Sequence, residues 1–185
     1  MLTIRELTER ENELMTQVHR TIGSMNEKAH QLLDNGIFGA FKKLHNNYAS
    51  LAVTGDIEAL KRAFFIQWYA IAEPSCFTGI ASENPWGDGV GLDKDTEKMV
   101  FDLVEQFINS DDELKWMTAW YYLIAEYYLE AFWGNSALIK ELQRYNQEFG
   151  SLIDHVILSD EPLEKRGQMG AYFASVLKPK ENLAK

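Results

Sequence analysis

The sequence predicts an all-α fold, a single-domain bundle of about six or seven helices. Along most of the 185 residues, apolar side chains recur at intervals of three, four or seven, which is the spacing of one helical face. Two stretches, 57–73 and 111–133, are apolar almost all round, and helices of that kind have to be buried. A hydrophobic content of 46% with only four prolines is typical of an ordered globular chain. We therefore expect these two helices at the centre and amphipathic helices around them.

The N-terminal part of the chain predicts two of the amphipathic helices. One is expected over about 4–33, ending at Asn35-Gly36, a pair that favours a turn. The other is expected over about 37–52, ending before Gly55. The apolar stripe of the first comprises Leu7, Leu14, Val18, Ile22, Met25, Ala29 and Leu32.

The first central helix, 57–73, should end before Pro74, because the residue preceding a proline is disfavoured in the helical conformation. The next stretch, 74–93, contains four glycines and two prolines, which exclude a regular helix. Irregular segments of about 20 residues are uncommon inside compact domains and are often functional. We therefore treat 74–93 as a candidate binding loop.

A helix over 94–108, capped by Asp93 or Asp95, is expected to follow that loop. The second central helix, 111–133, is preceded by Ser110 and contains Glu113. These two have the S-x-x-E spacing of a capping box, in which each side chain accepts a hydrogen bond from the backbone of the other. The segment is long enough to span a membrane, but its tyrosines and two mid-segment glutamates would be costly in hydrocarbon. We therefore predict no contact with a membrane.

The C-terminal part is expected to contain a helix over about 136–149 and another from about 159 to Leu177. Between them, the apolar run 152–158 is compatible with either a helix or a strand. The last helix has a face of small residues suited to close packing, which makes a homodimer through this face possible. Its members are Gly167, Gly170, Ala171 and Ala174. The domain is expected to cover 1–177, and 178–185 to form a polar tail.

Net charge is concentrated in the middle third of the chain. Residues 73–130 hold thirteen acidic residues and three lysines, whereas acids and bases balance on either side, so this third accounts for the whole net charge of −10. A nucleic-acid backbone requires clustered Lys and Arg, so nucleic-acid binding is not expected. An acidic face suits a basic protein partner, although it also serves as a solubilising surface. The absence of a signal-peptide pattern and the single cysteine, Cys76, favour a cytoplasmic location and an inert thiol.

Carboxylates within the apolar segments are the candidates for catalysis. Glu126 and Glu130 lie four residues apart, hence on one helical face, and Glu73 ends the other central helix. A poorly solvated carboxylate can act as a proton donor or ligand. The structural alternative is that the pair on 111–133 forms ion pairs with basic side chains, for which Arg62, Arg144 and Lys140 are available.

Metal and cofactor motifs are sparse. Glu27 and His30 form one E-x-x-H, whereas carboxylate-bridged di-metal bundles use two together with further glutamates. The acids of the loop do not match the EF-hand pattern, and no Gly-rich phosphate loop is present. We therefore expect no cofactor and no metal, with Glu27 and His30 as the weak candidates.

The loop 74–93 carries the candidate partner-binding residues, which are Trp86 among glycines together with Asp88, Asp93 and, just beyond it, Asp95. Exposed aromatic side chains often anchor protein interfaces, although Trp86 can equally plug the loop onto the core. The favoured function is an intracellular protein-interaction module, of adaptor or toxin-neutralising type, whose acidic middle third binds a basic partner. The alternative is a helical-bundle enzyme, or a small-ligand or metal binder, with a carboxylate in an aromatic pocket.

Overall fold

The computed structural model describes residues 2–72, 91–149, 154, 156–158 and 161–177. These residues form an all-helical bundle, so the predicted fold class is confirmed. The described α-helices are α1 (Ile4–Arg20), α2 (Met25–Asp34), α3 (Ile37–Ala52), α4 (Ile57–Ala72), α5 (Lys94–Phe107), α6 (Asp112–Ile124), α7 (Glu126–Trp133), α8 (Ala137–Phe149) and α9 (Gly167–Val176). Within the described ranges, no helix is both long and apolar enough to cross a membrane.

Helix α4 lies at the centre of the bundle, as its apolar sequence predicts. It packs against α3, α5, α6 and α9, and most of its residues are buried. The core around it is aromatic. Trp68 stacks on Tyr121 of α6 with ring centroids 4.3 Å apart, and Phe64 meets Phe101 of α5 edge-on at 5.5 Å. Such ring pairs add about 0.5–1.5 kcal/mol each beyond the area that they bury.

The expected helix over 4–33 is divided into α1 and α2. Ser24 has an extended backbone and caps α2, and its side chain and Glu27 form a capping box. Gly23 before it has φ +126°, a conformation that favours glycine. The helix therefore ends at Arg20 and restarts at Met25. Ile22, which the sequence assigns to the buried stripe, is 79% exposed in the turn between them.

The expected helix over 111–133 is divided at Ala125, whose φ and ψ are −140° and 58°. Nine of the thirteen residues of α6 are buried, but in α7 only Tyr128 and Leu129 are. The predicted capping box is wrong. Asp111 is the N-cap and accepts a hydrogen bond from the Leu114 N–H at 2.7 Å. Glu113 instead binds basic side chains in the interior.

The C-terminal helix starts later than the sequence predicts. A 3₁₀ turn over Leu163–Lys165 precedes α9, and Gly167 takes φ +58° where the helix begins. A Cβ atom on Gly167 would collide with the Glu11 carboxylate, and one on Gly170 with the Leu163 carbonyl oxygen. These two glycines therefore pack against their own chain. The tail 178–185 lies outside the described residues, as do 152, 153 and 155 of the apolar run 152–158.

Candidate functional site

Of the predicted partner-binding residues, Trp86 and Asp88 lie outside the described residues. Asp93 caps α5 by accepting a hydrogen bond from the Thr96 N–H at 2.9 Å. That bond lowers the pKa of Asp93 below its usual value, so the residue is a carboxylate at neutral pH. Asp95 is exposed in the first turn of the same helix. The prediction that these acids bind a partner stays a prediction.

Two of the three candidate catalytic carboxylates lie among the described residues. Glu73 lies outside the described residues. Glu126 and Glu130 are both exposed on α7, and Glu130 accepts a hydrogen bond from the Tyr122 hydroxyl at 2.8 Å. That bond links α7 to the last turn of α6 across the break at Ala125. Neither glutamate of α7 lies in the desolvated surroundings that acid–base catalysis by a carboxylate requires.

Glu27 and His30 are exposed on α2. The Glu27 carboxylate accepts a hydrogen bond from the Ser24 N–H at 2.7 Å, which lowers its pKa and occupies it in capping the helix. In the part of the chain that the structure describes, no group of three or more His, Cys, Asp or Glu side chains is arranged to hold a metal ion.

A buried ion network joins α1, α4 and α6 to Arg166, the residue that precedes α9. We use this name for the alternating acids and bases Glu11, Glu58, Lys61, Arg62, Asp111, Glu113 and Arg166. Arg166 is fully buried. Its guanidinium donates to Glu58 at 2.5 and 3.0 Å and also to Glu113. Lys61 bridges Glu113 at 2.6 Å and Asp111 at 2.9 Å.

Glu11 caps the N-terminus of α9 from a distant part of the sequence. It accepts hydrogen bonds from the Gln168 N–H at 2.9 Å and from the Tyr48 hydroxyl at 2.7 Å. Arg62 lies 3.8 Å from its carboxylate and donates to the Lys165 carbonyl oxygen at 3.0 Å. A negative group at this end of a helix is favoured by the helix dipole. The network therefore fixes the start of α9 against α1, α3 and α4.

The pKa values of Glu113 and Glu11 show the balance between burial and hydrogen bonding within the buried ion network. Burial opposes the charge of Glu113, but hydrogen bonds from Arg166 and Lys61 outweigh it and lower the pKa. At Glu11, burial is the larger effect and raises the pKa above its usual value. Removing one member of a buried ion pair typically costs about 3–5 kcal/mol, because the other charge is left uncompensated. Each carboxylate accepts from donors of this same chain, so we interpret the network as structural.

The sequence reveals neither the buried ion network nor a second feature of the structure, the apolar strip. We use this name for Leu123, Ile124, Tyr127 and Phe132, which are 58%, 44%, 62% and 38% exposed. Leu123 and Ile124 end α6 before the break at Ala125, and Tyr127 and Phe132 lie in α7 after it. The sequence predicts this whole segment to be buried.

One end of the apolar strip borders a cleft of about 380 Å³, which we call the α7 cleft. Its described lining residues are Ile71, Lys94, Glu97, Tyr127, Tyr128, Ala131 and Phe132. Glu97 is 1% exposed, and one of its oxygens accepts a hydrogen bond from the Tyr128 hydroxyl at 3.3 Å. Burial raises the pKa of Tyr128 well above its usual value, so this hydroxyl keeps its proton. The cleft thus combines aromatic walls with a buried carboxyl group.

Helices α5 and α7, which supply most of the described lining of the α7 cleft, carry more exposed acids than exposed bases. Glu126, Glu130 and Asp95 are exposed on α7 and α5, and Lys94 stands at the mouth. Other acids of the middle third are engaged inside, since Asp111 and Glu113 belong to the ion network. The acidic surface that remains available therefore includes the surroundings of the apolar strip.

No protein-family model matches the chain, and neither curated proteins nor solved structures yield a similar protein.

Proposed function

We propose that this protein is a protein-interaction module whose docking surface is the apolar strip. The observation that carries the proposal is the exposure of four large apolar side chains, two at the end of α6 and two in α7, on either side of the break at Ala125. Contiguous exposed apolar residues with a polar rim mark interaction sites on soluble proteins. Aromatic side chains such as Tyr127 and Phe132 are frequent anchors of interfaces.

The acids next to the apolar strip support a partner with a basic surface. Glu126 and Glu130 project from α7 itself, and Asp95 from the neighbouring α5. Opposite charges at an interface rim increase the association rate and exclude partners of the wrong sign. An intracellular adaptor or a toxin-neutralising protein would use such a surface, and this role is part of the proposal.

Site-specific photo-crosslinking in the cells of origin tests the proposal. A photoreactive phenylalanine analogue replaces Tyr127 in one version of the protein and Val53 in another. Val53 is 57% exposed and lies at the end of α3, so it matches Tyr127 in exposure without belonging to the apolar strip. We expect a defined crosslinked partner from position 127 and none from position 53.

The crosslink at position 127 should disappear when Glu126 and Glu130 are both replaced by Lys, because the rim would then repel a basic partner. Replacing Asp102 and Glu105, which are exposed on α5, by Lys is the matched control and should preserve the crosslink. No product at position 127, or the same products at both positions, would overturn the proposal.

A second candidate function is small-ligand binding in the α7 cleft. Its volume of about 380 Å³ lies within the range of about 300–1,000 Å³ that is usual for ligand pockets, and its walls are aromatic. Native mass spectrometry of protein isolated gently from its own cells tests this function. A constant mass increment that is lost in a Phe132→Ala variant would support it, whereas the bare 21.3 kDa mass would contradict it.

A further inference from the structure

We infer that the α7 cleft receives a bulky apolar side chain, such as leucine or phenylalanine, from an amphipathic helix of the partner. Basic side chains on the neighbouring face of that helix meet Glu126 and Glu130. The inference rests on the proposed function, because it specifies which element of a basic partner binds at the apolar strip and which of its side chains is the anchor.

The described lining of the α7 cleft offers an incoming group mainly apolar surface. Ile71 contributes from the last turn of α4, and Tyr127, Ala131 and Phe132 contribute from α7. Glu97 also lines the cleft, but it is 1% exposed and its carboxyl group already accepts a hydrogen bond within the chain, so it is closed to an incoming cation. Transfer of an apolar side chain from water into such surroundings is favourable.

The α7 cleft has room for a bulky side chain, and one of its walls is already fixed. A cavity of about 150 Å³ is enough to hold benzene, whereas the cleft has about 380 Å³. Phe132 stacks on Phe101 with ring centroids 3.9 Å apart and meets Tyr128 edge-on at 5.5 Å, so its ring is held in place before anything binds. A preformed wall reduces the entropy that is lost when a side chain binds.

The exposed side of α7 favours a helix as the element that carries this side chain. Tyr127 and Ala131 lie four residues apart and form a ridge along the cleft, and the small side chain of Ala131 allows another helix to approach closely. Amphipathic helices commonly dock their apolar face in hydrophobic grooves of this kind. A peptide that extends a sheet would need the edge of a strand, and the residues that the structure describes form none.

Charges on α7 and α5 determine how the partner helix is oriented. Glu126 and Glu130 are exposed and form a second ridge beside that of Tyr127 and Ala131, on the side away from the cleft. A helix that crosses the first ridge with its apolar face in the cleft therefore turns its neighbouring face toward the two carboxylates, where lysine or arginine is favoured. Lys94, at the mouth of the cleft, disfavours a basic side chain on that side.

The test is a titration of ¹⁵N-labelled full-length protein, followed by NMR, with two alanine-based peptides of about 18 residues, a length at which such sequences form helices. In the patterned peptide, leucines recur at intervals of three and four on one face, and lysines occupy the adjacent face. The scrambled peptide has the same composition, with both residue types spread around the helix. We expect the patterned peptide to bind with a Kd of about 100 μM and the scrambled one about tenfold more weakly. The largest shifts should lie in α7 and the first turn of α5.

Two variants locate the binding site, each with a matched control. Ala131→Trp fills the cleft and should weaken binding of the patterned peptide by about tenfold. Ala171→Trp, the same change at an exposed position of α9, should leave binding unchanged. Glu126→Lys reverses a charge beside the ridge and should weaken binding by about fivefold. Glu105→Lys, at an exposed position of α5, should have little effect.

Equal binding of the two peptides, the largest shifts outside α7 and α5, or undiminished binding to Ala131→Trp would overturn the inference. Tighter binding of a proline-rich peptide of the same charge would also overturn it, because an extended segment would then be the preferred occupant.

The inference and the proposed function fail in different ways. A crosslink at position 127 without any preference for the patterned peptide would leave the interaction module without this helical anchor. Binding of the patterned peptide without any crosslink in cells would show that the cleft accepts a helix while removing the proposed function.

Discussion

His45 is a neutral histidine buried between α3 and α4. It is fully buried, and its Nε2 lies 3.0 Å from the Gln67 side-chain oxygen, so the ring donates from Nε2. Burial disfavours the charged ring and lowers the pKa to about 4 from its ordinary value of 6.5. Protonation would place an uncompensated charge beside the aromatic core.

This pKa shift predicts that the protein loses stability on mild acidification. In the unfolded chain His45 takes up a proton as the pH falls through 6.5, whereas the folded protein resists until about pH 4. The free energy of unfolding should therefore fall by about 2 kcal/mol between about pH 7 and about pH 5 from this residue alone. Urea unfolding at the two pH values, compared with a His45→Gln variant, measures the contribution.

The His45→Gln variant should lack this part of the pH dependence, although its stability at neutral pH is lower. His19→Gln, a change at an exposed histidine of α1, serves as the control and should leave the pH dependence unaltered. An unchanged slope in the His45→Gln variant would mean that another group is responsible.

The sequence predicts residue roles well where they are local. Of the two expected caps of α5, Asp93 and Asp95, the structure has Asp93, which depends on contacts within a few residues. Glu113 has equally good local capping spacing, but Arg166, 53 positions later, and Lys61 compete for it. A buried charge that needs distant partners cannot be assigned from spacing alone.

At the scale of elements, the attachment of α9 depends on the close approach of Gly167 to Glu11. Gly167→Ala introduces two separate costs, a left-handed backbone conformation and a collision with the carboxylate. Gly36→Ala is the matched variant, because Gly36 is left-handed with φ +70° and ψ 15°, and a Cβ atom on it would meet nothing within 4 Å.

We expect Gly36→Ala to destabilise the protein by about 1–2 kcal/mol through its backbone alone. Gly167→Ala should cost about 1–3 kcal/mol more, because the carboxylate has to move within a packed interior. Equilibrium denaturation of the two variants gives the difference. Equal losses of stability would show that α9 does not depend on this close approach.

The two divided helices show where sequence reasoning about elements is limited. The apolar stripe of 4–33 continues through Gly23 and Ser24, and periodicity alone does not register the capping box that stops it. Alanine has a high intrinsic helix propensity, so Ala125 itself predicts that the helix continues. The break accompanies contacts made elsewhere, including the bond between Tyr122 and Glu130 and the packing of α6 and α7 on α8.

At the scale of the whole molecule, the apolar segment 116–133 serves two purposes. Its first part, within α6, completes the aromatic core around α4. Its second part, in α7, contributes residues of the apolar strip and a wall of the α7 cleft. The apolar composition of the segment predicts that all of it is buried. Composition alone does not show whether a residue is buried by its own chain or by a partner protein. Glu126 and Glu130 are exposed on α7, and the role of the acidic middle third in binding a partner stays a prediction.

Hydroxyl-radical footprinting of the protein, purified and inside its own cells, tests the account most directly. The reactivities of Leu123, Ile124 and Tyr127 are compared with those of Ile22 and Val53, which are exposed elsewhere. We predict that all five react in the purified protein and that only the three residues of the apolar strip are protected in cells. Equal reactivity of the apolar strip in both settings would contradict the proposed docking surface, and protection of the apolar strip in the purified protein would contradict its exposure.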